Sequence, residues 1–210
     1  MPIAGHGGRL ALLAVSALLA NLFVAPYSQF SNRFLRTDLG FSGGRIGLFS
    51  VVVGTPAAIG IVAGGRIADV RGRRVVAAVA LIGGTLCTLG FFFSGGGWPL
   101  WVWAAVGGVV SAASIPALGV YGPELFPTGL RGKANGLVAL TALVGSAIGL
   151  TGAGIMSDRF GSIGQAMAVL AIGPLVLAVL VLVAYPETAR RQLEELNPED
   201  RPPPPPSPSP

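Results

Sequence analysis

Five stretches of this chain lack Asp, Glu, Lys and Arg, and each runs for at least 20 residues: 10–32, 46–65, 75–123, 134–157 and 160–186. A helix rising 1.5 Å per residue needs about 20 apolar residues to cross roughly 30 Å of hydrocarbon. The third stretch is long enough for two crossings, and "FSGGGWPLW" (93–101) interrupts it with glycines and a proline that stop a helix. The sequence therefore predicts six spans, at 10–35, 46–67, 75–94, 98–124, 134–156 and 163–185.

Inside hydrocarbon every backbone N–H and C=O must be satisfied within the protein, so only helices and closed barrels cross. No segment shows the short alternating pattern of a barrel strand. The expected fold is all-α, a polytopic membrane protein with six transmembrane helices. A charged fraction of only 11% excludes an ordinary soluble domain. Thirty-two glycines, with small residues spaced as in Gly54 and Ala58 or Gly145 and Gly152, suit close helix packing in lipid. The apolar part of span one exceeds the 7–15 residue core of a signal peptide, so a retained helix is expected. The chain divides into a short amino terminus (1–8), a six-helix membrane domain (9–186) and a polar tail (187–210).

Basic residues set the expected orientation. With the amino terminus in the cytoplasm, ten of the 14 Lys and Arg residues fall on the inner side and four on the outer, as the positive-inside rule requires. Both termini are then cytoplasmic, in a plasma or cell inner membrane. The net charge of +5 is a topological signal on this reading, and nucleic acid is not an expected partner; membrane lipids are. Cys87 is the single cysteine and His6 the single histidine. A disulfide framework, a His-dependent catalytic triad and a His-ligated zinc site are thus without material. No phosphate-binding Gly-Lys-Ser/Thr loop occurs. No metal, cofactor or enzymatic activity is expected.

No Asp, Glu, Lys, Arg or His lies in the middle of any span, so a proton-coupling acid cannot come from these helices. Neutral polar groups are the candidates for contact with a solute. Asn21, Thr55, Ser111, Ser114, Thr141 and Ser146 lie at mid-depth, with Tyr27 and Gln29 nearer the outer side. Asn21 is costly to leave unpaired in lipid, and Asn21, Tyr27, Gln29 and Ser114 are the expected binding set. Serine and threonine also have the alternative of bonding their own helix backbone. Trp98, Trp101 and Trp103 cluster where indoles anchor a span at the headgroup level. Beyond the last span, "ETARRQLEEL" has the pattern of a short amphipathic helix, and "RPPPPPSPSP" that of a polyproline II tail.

The chain repeats a pattern. "AGGRIADVRGR" (63–73) and "GAGIMSDRFGS" (152–162) share Gly65 with Gly154, Asp69 with Asp158 and Gly72 with Gly161, each 89 residues apart. The segments end spans two and five, which face opposite sides of the membrane. Such a pattern predicts a 3+3 inverted repeat.

The first of these segments resembles the loop signature of the major facilitator superfamily, G-x-x-x-D-[RK]-x-G-[RK]-[RK]. Gly65, Asp69, Gly72, Arg73 and Arg74 match it, whereas Val70 stands at a usually basic position. "YGPELFPTGLRGKANGL" (121–137) is similar to the stretch joining spans ten and eleven of sugar and metabolite transporters, and "YPETARRQLEEL" (185–196) to the end of their last span. Order and spacing are those of the carboxyl-terminal half, spans seven to twelve.

The resemblance implies carriage of a small polar solute, a sugar or small organic metabolite, by alternating access. It also implies an inner charge network of Arg73, Glu124, Arg131 and Glu187. Asp69, at the inner end of span two, is expected to gate against the positive end of a neighbouring helix, an approach that Gly64 and Gly65 would permit. The Gln-Gln and Asn arrangement of hexose porters is missing from "SALLANLFVAPYSQF". A full member has two six-span halves, and 210 residues hold one. Three origins follow as alternatives: a fragment of a longer carrier, a half that dimerises, or a non-transporting assembly or regulatory partner. The missing amino-terminal half or a second copy is accordingly an expected partner.

Overall fold

The computed structural model of the protein describes residues 7–119 and 131–185, with the side chain of Arg131 excepted. Among these residues every regular element is helical. Six spans form: Gly7–Asp38, Gly43–Arg71, Arg73–Phe93, Gly97–Gly119, Gly132–Phe160 and Ile163–Ala184. Several overrun the uncharged stretches by about a turn, because charge limits depth in hydrocarbon and does not end a helix; Arg66 and Arg71 both extend span two.

Where the connection is described, between spans one and two, two and three, three and four, and five and six, it is short and makes consecutive spans antiparallel. Span two stops at Arg71 and span three starts at Arg73, with Gly72 alone between them at φ +101° and ψ 136°. Gly161, at φ +66°, serves the turn between spans five and six. Both turns need the left-handed region, where a side chain is strained.

Prolines interrupt three spans. Span two breaks at Thr55 and Pro56, span four at Ala113, three residues before Pro116, and span six at Ala171, three before Pro174. Pro26 leaves span one continuous. Its missing N–H deprives the Leu22 carbonyl, four residues back, of its helical donor.

Spans three and six pack against each other at the centre. Span one lies along spans five and six, and span four along spans two and three. In spans three and six 50% of the most apolar window is buried, against 17–22% in the other four. Glycines set the closest approaches. Gly60 and Gly64 of span two meet the backbone at Val109 and Ala113 of span four, and Gly145 and Gly149 of span five meet that at Leu18 and Leu22 of span one. The contacting pairs are thus spaced four apart on one helix face. Gly54, by contrast, has no neighbour where a side chain would be, and Gly152 meets only flexible side-chain ends.

Two apolar clusters divide the bundle lengthwise. One is aromatic, built on Phe23, Phe34, Phe41, Phe49, Phe91 and Phe92. Its rings meet edge to face, as at Phe34 and Phe92 with centroids 5.2 Å apart. The other is aliphatic, with Ala68, Ala77, Leu177 and Val181, and lies at the end carrying Arg9, Arg71, Arg73 and Arg74. These ends are called the aromatic end and the basic end below.

Candidate functional site

Span three carries Thr85 and Thr88 three residues apart, hence on one helix face. That face points across to Ser111 and Ser114 of span four and to Tyr27 of span one. Together with Phe23 and Pro174 they line a cleft of about 210 Å³. A hollow of about 70 Å³ beside it shares Tyr27, Thr88 and Ser111 and is bounded by Trp103. Glycine makes this geometry possible: Ser111 sits where a side chain on Gly84 would be, and the indole of Trp103 lies over Gly90.

Most of these hydroxyls spend their proton on their own helix. Thr85 donates to the Leu81 carbonyl at 2.7 Å, Thr88 to Gly84 at 2.9 Å and Ser114 to Ser111 at 2.6 Å. Their oxygen lone pairs stay available, so they present acceptors to the cleft. The Tyr27 ring is fixed edge-on against Phe91 and Phe92, with centroids 6.2 and 6.3 Å away. Tyr27 is half-buried, and its hydroxyl has the capacity to donate as well as accept. Among the described residues no Asp, Glu, Lys, Arg or His lines the cleft, so their chemistry there is neutral hydrogen bonding.

Of the four expected binding residues, the structure brings Tyr27 and Ser114 together. Asn21 lies elsewhere: its Nδ2 donates to the Ala17 carbonyl at 2.9 Å, and its Oδ1 faces the Ser146 hydroxyl at 3.4 Å across the seam of spans one and five. Gln29 is exposed and outside the cleft. Thr85 and Thr88 escape a reading that treats hydroxyls singly, although their i, i+3 spacing in span three was a usable signal.

At the basic end, Asp69 pairs with Arg73, Nη2 to Oδ1 being 3.6 Å, across the Gly72 turn. The aspartate side chain is 69% exposed and the arginine 15%, a geometry worth about 0.2–1 kcal/mol. The observed partner of Asp69 is therefore a side chain in the first turn of span three. Gly64 and Gly65 approach span four, at Ala113 and Pro116, and not that turn. Arg74 is half-buried. Arg131 begins the helix of span five, while its side chain, Glu124 and Glu187 lie outside the described residues. A second polar tie at this end joins the last span to the first. The Tyr185 hydroxyl donates to Ser16 Oγ at 2.8 Å, and Ser16 donates to the Leu12 carbonyl at 2.8 Å.

The geometry is that of a six-helix membrane bundle with a neutral, hydroxyl-lined cleft and a tightly turned, charged end. A search of curated proteins returns no relative that matches the chain. The family model described as Major Facilitator Superfamily matches residues 10–208, nearly the whole sequence, and membrane transport by a carrier of this type is the activity it supports. The chain belongs to the Major Facilitator Superfamily.

Proposed function

We propose that the chain is one half of an alternating-access carrier for a small, uncharged polar solute, of the sugar or small organic metabolite class. The cleft carries this reading: it sets acceptor oxygens from Thr85, Thr88 and Ser114 around the Tyr27 hydroxyl. A solute rich in O–H donors satisfies such a wall, whereas an ion would find no countercharge among the described residues of the cleft.

The proposed internal architecture is a 3+3 inverted repeat, and the packing supports it. Exchanging spans one, two and three for four, five and six turns the one–five contact into four–two and the three–four contact into six–one, all of which are present. Three–six maps onto itself. The 89-residue offset that relates Asp69 to Asp158 also relates Gly60, against Val109, to Gly149, against Leu22. Two similar triplets of opposite orientation give a half that can rock between two states of comparable energy. In this reading the basic end is cytoplasmic in a plasma or cell inner membrane, supported by the ten-to-four division of Lys and Arg. In this reading the completing half is a further part of a longer carrier, another chain or a second copy.

The test is uptake into vesicles containing the full chain, alone and with a candidate partner half. Radiolabelled sugars and organic acids serve as solutes. The expected result is saturable uptake of a neutral solute, lowered at least about tenfold, or roughly 1.4 kcal/mol, by Ser114→Leu, which fills the cleft. Preference for an anionic solute would overturn the solute class. Absence of uptake in every pairing would make the chain a non-transporting partner.

A further inference from the structure

Between spans two and three, backed by span four, a second hollow of about 310 Å³ opens on the outside of the bundle. Its floor is bare because Gly60 and Gly64 press against Val109 and Ala113. Its rims are Ile67 and Val79, exposed by 46% and 63%, and its lining is apolar until it reaches Arg71. From Gly60 to Arg71 span two rises about 16 Å at 1.5 Å per residue. That is about half of a 30 Å hydrocarbon core, the depth of one leaflet. The hollow is thus an apolar slot one leaflet deep with a guanidinium at its mouth.

Charge at the mouth selects the occupant. Arg71 is exposed and has no ion-pair partner among the described residues. Arg66 and Arg74 lie within five residues of it, and Asp69, the acid nearest in sequence, faces Arg73. An arginine offers a planar fork that matches phosphate oxygens, and basic residues near an anionic membrane surface attract its lipids. A zwitterionic headgroup brings its own cation toward this cluster; an anionic one does not.

We infer that the slot between spans two and three binds an anionic phospholipid, one acyl chain lying over Gly60 and Gly64 and the headgroup phosphate on Arg71. The lipid packs between spans two and three with span four behind it. Its lining has Ala80 alone in common with the solute cleft, and the assignment stands whether or not the chain transports.

The experiment uses the purified full chain in mild detergent with equal amounts of phosphatidylglycerol and phosphatidylcholine of the same acyl chains. Native mass spectrometry reads the bound lipid. Phosphatidylglycerol is expected to be retained about fivefold over phosphatidylcholine, the order of one basic contact. Arg71→Gln should bring the two to parity and Arg71→Lys should largely restore the preference. Arg159→Gln, at the opposite end, should leave it intact. With photoreactive benzoylphenylalanine in place of Val79, irradiation should give a one-lipid adduct. Equal retention by the unaltered protein, a preference that survives Arg71→Gln, or a crosslink from position 79 to a second copy of the chain would each overturn the assignment. Displacement of the lipid by millimolar inorganic phosphate would do so too, by reducing the site to an anion contact.

Discussion

Replacing Gly149 by leucine is expected to undo the docking of span five on span one. The glycine Cα faces the Leu22 carbonyl, and even a methyl group would run into that backbone. Backbone cannot rotate aside as a side-chain tip can, so relief requires separating the helices. Separation loses the packing that holds apolar helices together in lipid, and it removes the small-residue neighbour of a carbonyl already deprived of its helical donor by Pro26. The cost should reach the upper end of the roughly 1–3 kcal/mol typical of overpacking. That is a large part of a marginal stability. Thermal unfolding in detergent, followed by loss of the monodisperse peak, measures it. Gly154→Ala is the matched control: five residues on in the same helix, it has open space where the methyl would go. It should be neutral or stabilise by about 0.5–1 kcal/mol. Equal loss in both variants would show that the close approach at Gly149 is not what holds these spans.

Gly72→Ala should be nearly as damaging for a different reason. At φ +101° and ψ 136° the residue occupies a region almost closed to side chains, with a cost of about 1–3 kcal/mol. One residue makes the entire connection, so the strain cannot spread along a loop. Either span two ends early, losing the Asp69 and Arg73 pairing, or span three unwinds its first turn. Gly161→Ala, at φ +66°, is in the milder left-handed helical region and should cost about 1–2 kcal/mol at most. A larger fall in the unfolding temperature for Gly72→Ala than for Gly161→Ala is the expected order. The reverse order would place the strain elsewhere.

The six spans were legible because lipid admits so few solutions: charge-free length and a glycine-proline break give their number directly. Helix ends were less so, since Arg66 and Arg71 belong to the helix although they leave the hydrocarbon. Which glycines make contacts was not legible. Gly54 and Gly149 look alike in the sequence, and only the rotation of each helix, set by its partners, separates them. The cleft was half legible for the same reason. Tyr27 and Ser114 stand out as polar groups in apolar runs, but Asn21 is turned to Ser146 by the very approach that Gly145 and Gly149 allow. Thr85 and Thr88 belong to one of the two most buried spans, and that burial is set by packing partners the sequence does not name.

The indole stacked over Gly90 has a spectroscopic consequence. Trp103 forms part of the boundary of the hollow that contains Tyr27, Thr88 and Ser111, so its emission colour and brightness report what occupies that space. Trp98 is 77% exposed and Trp101 packs on Phe49, with centroids 4.8 Å apart. Replacing both by phenylalanine isolates the third signal. Solute arrival should then appear as a shift in fluorescence from a chain that carries no label, giving a binding assay that does not depend on uptake.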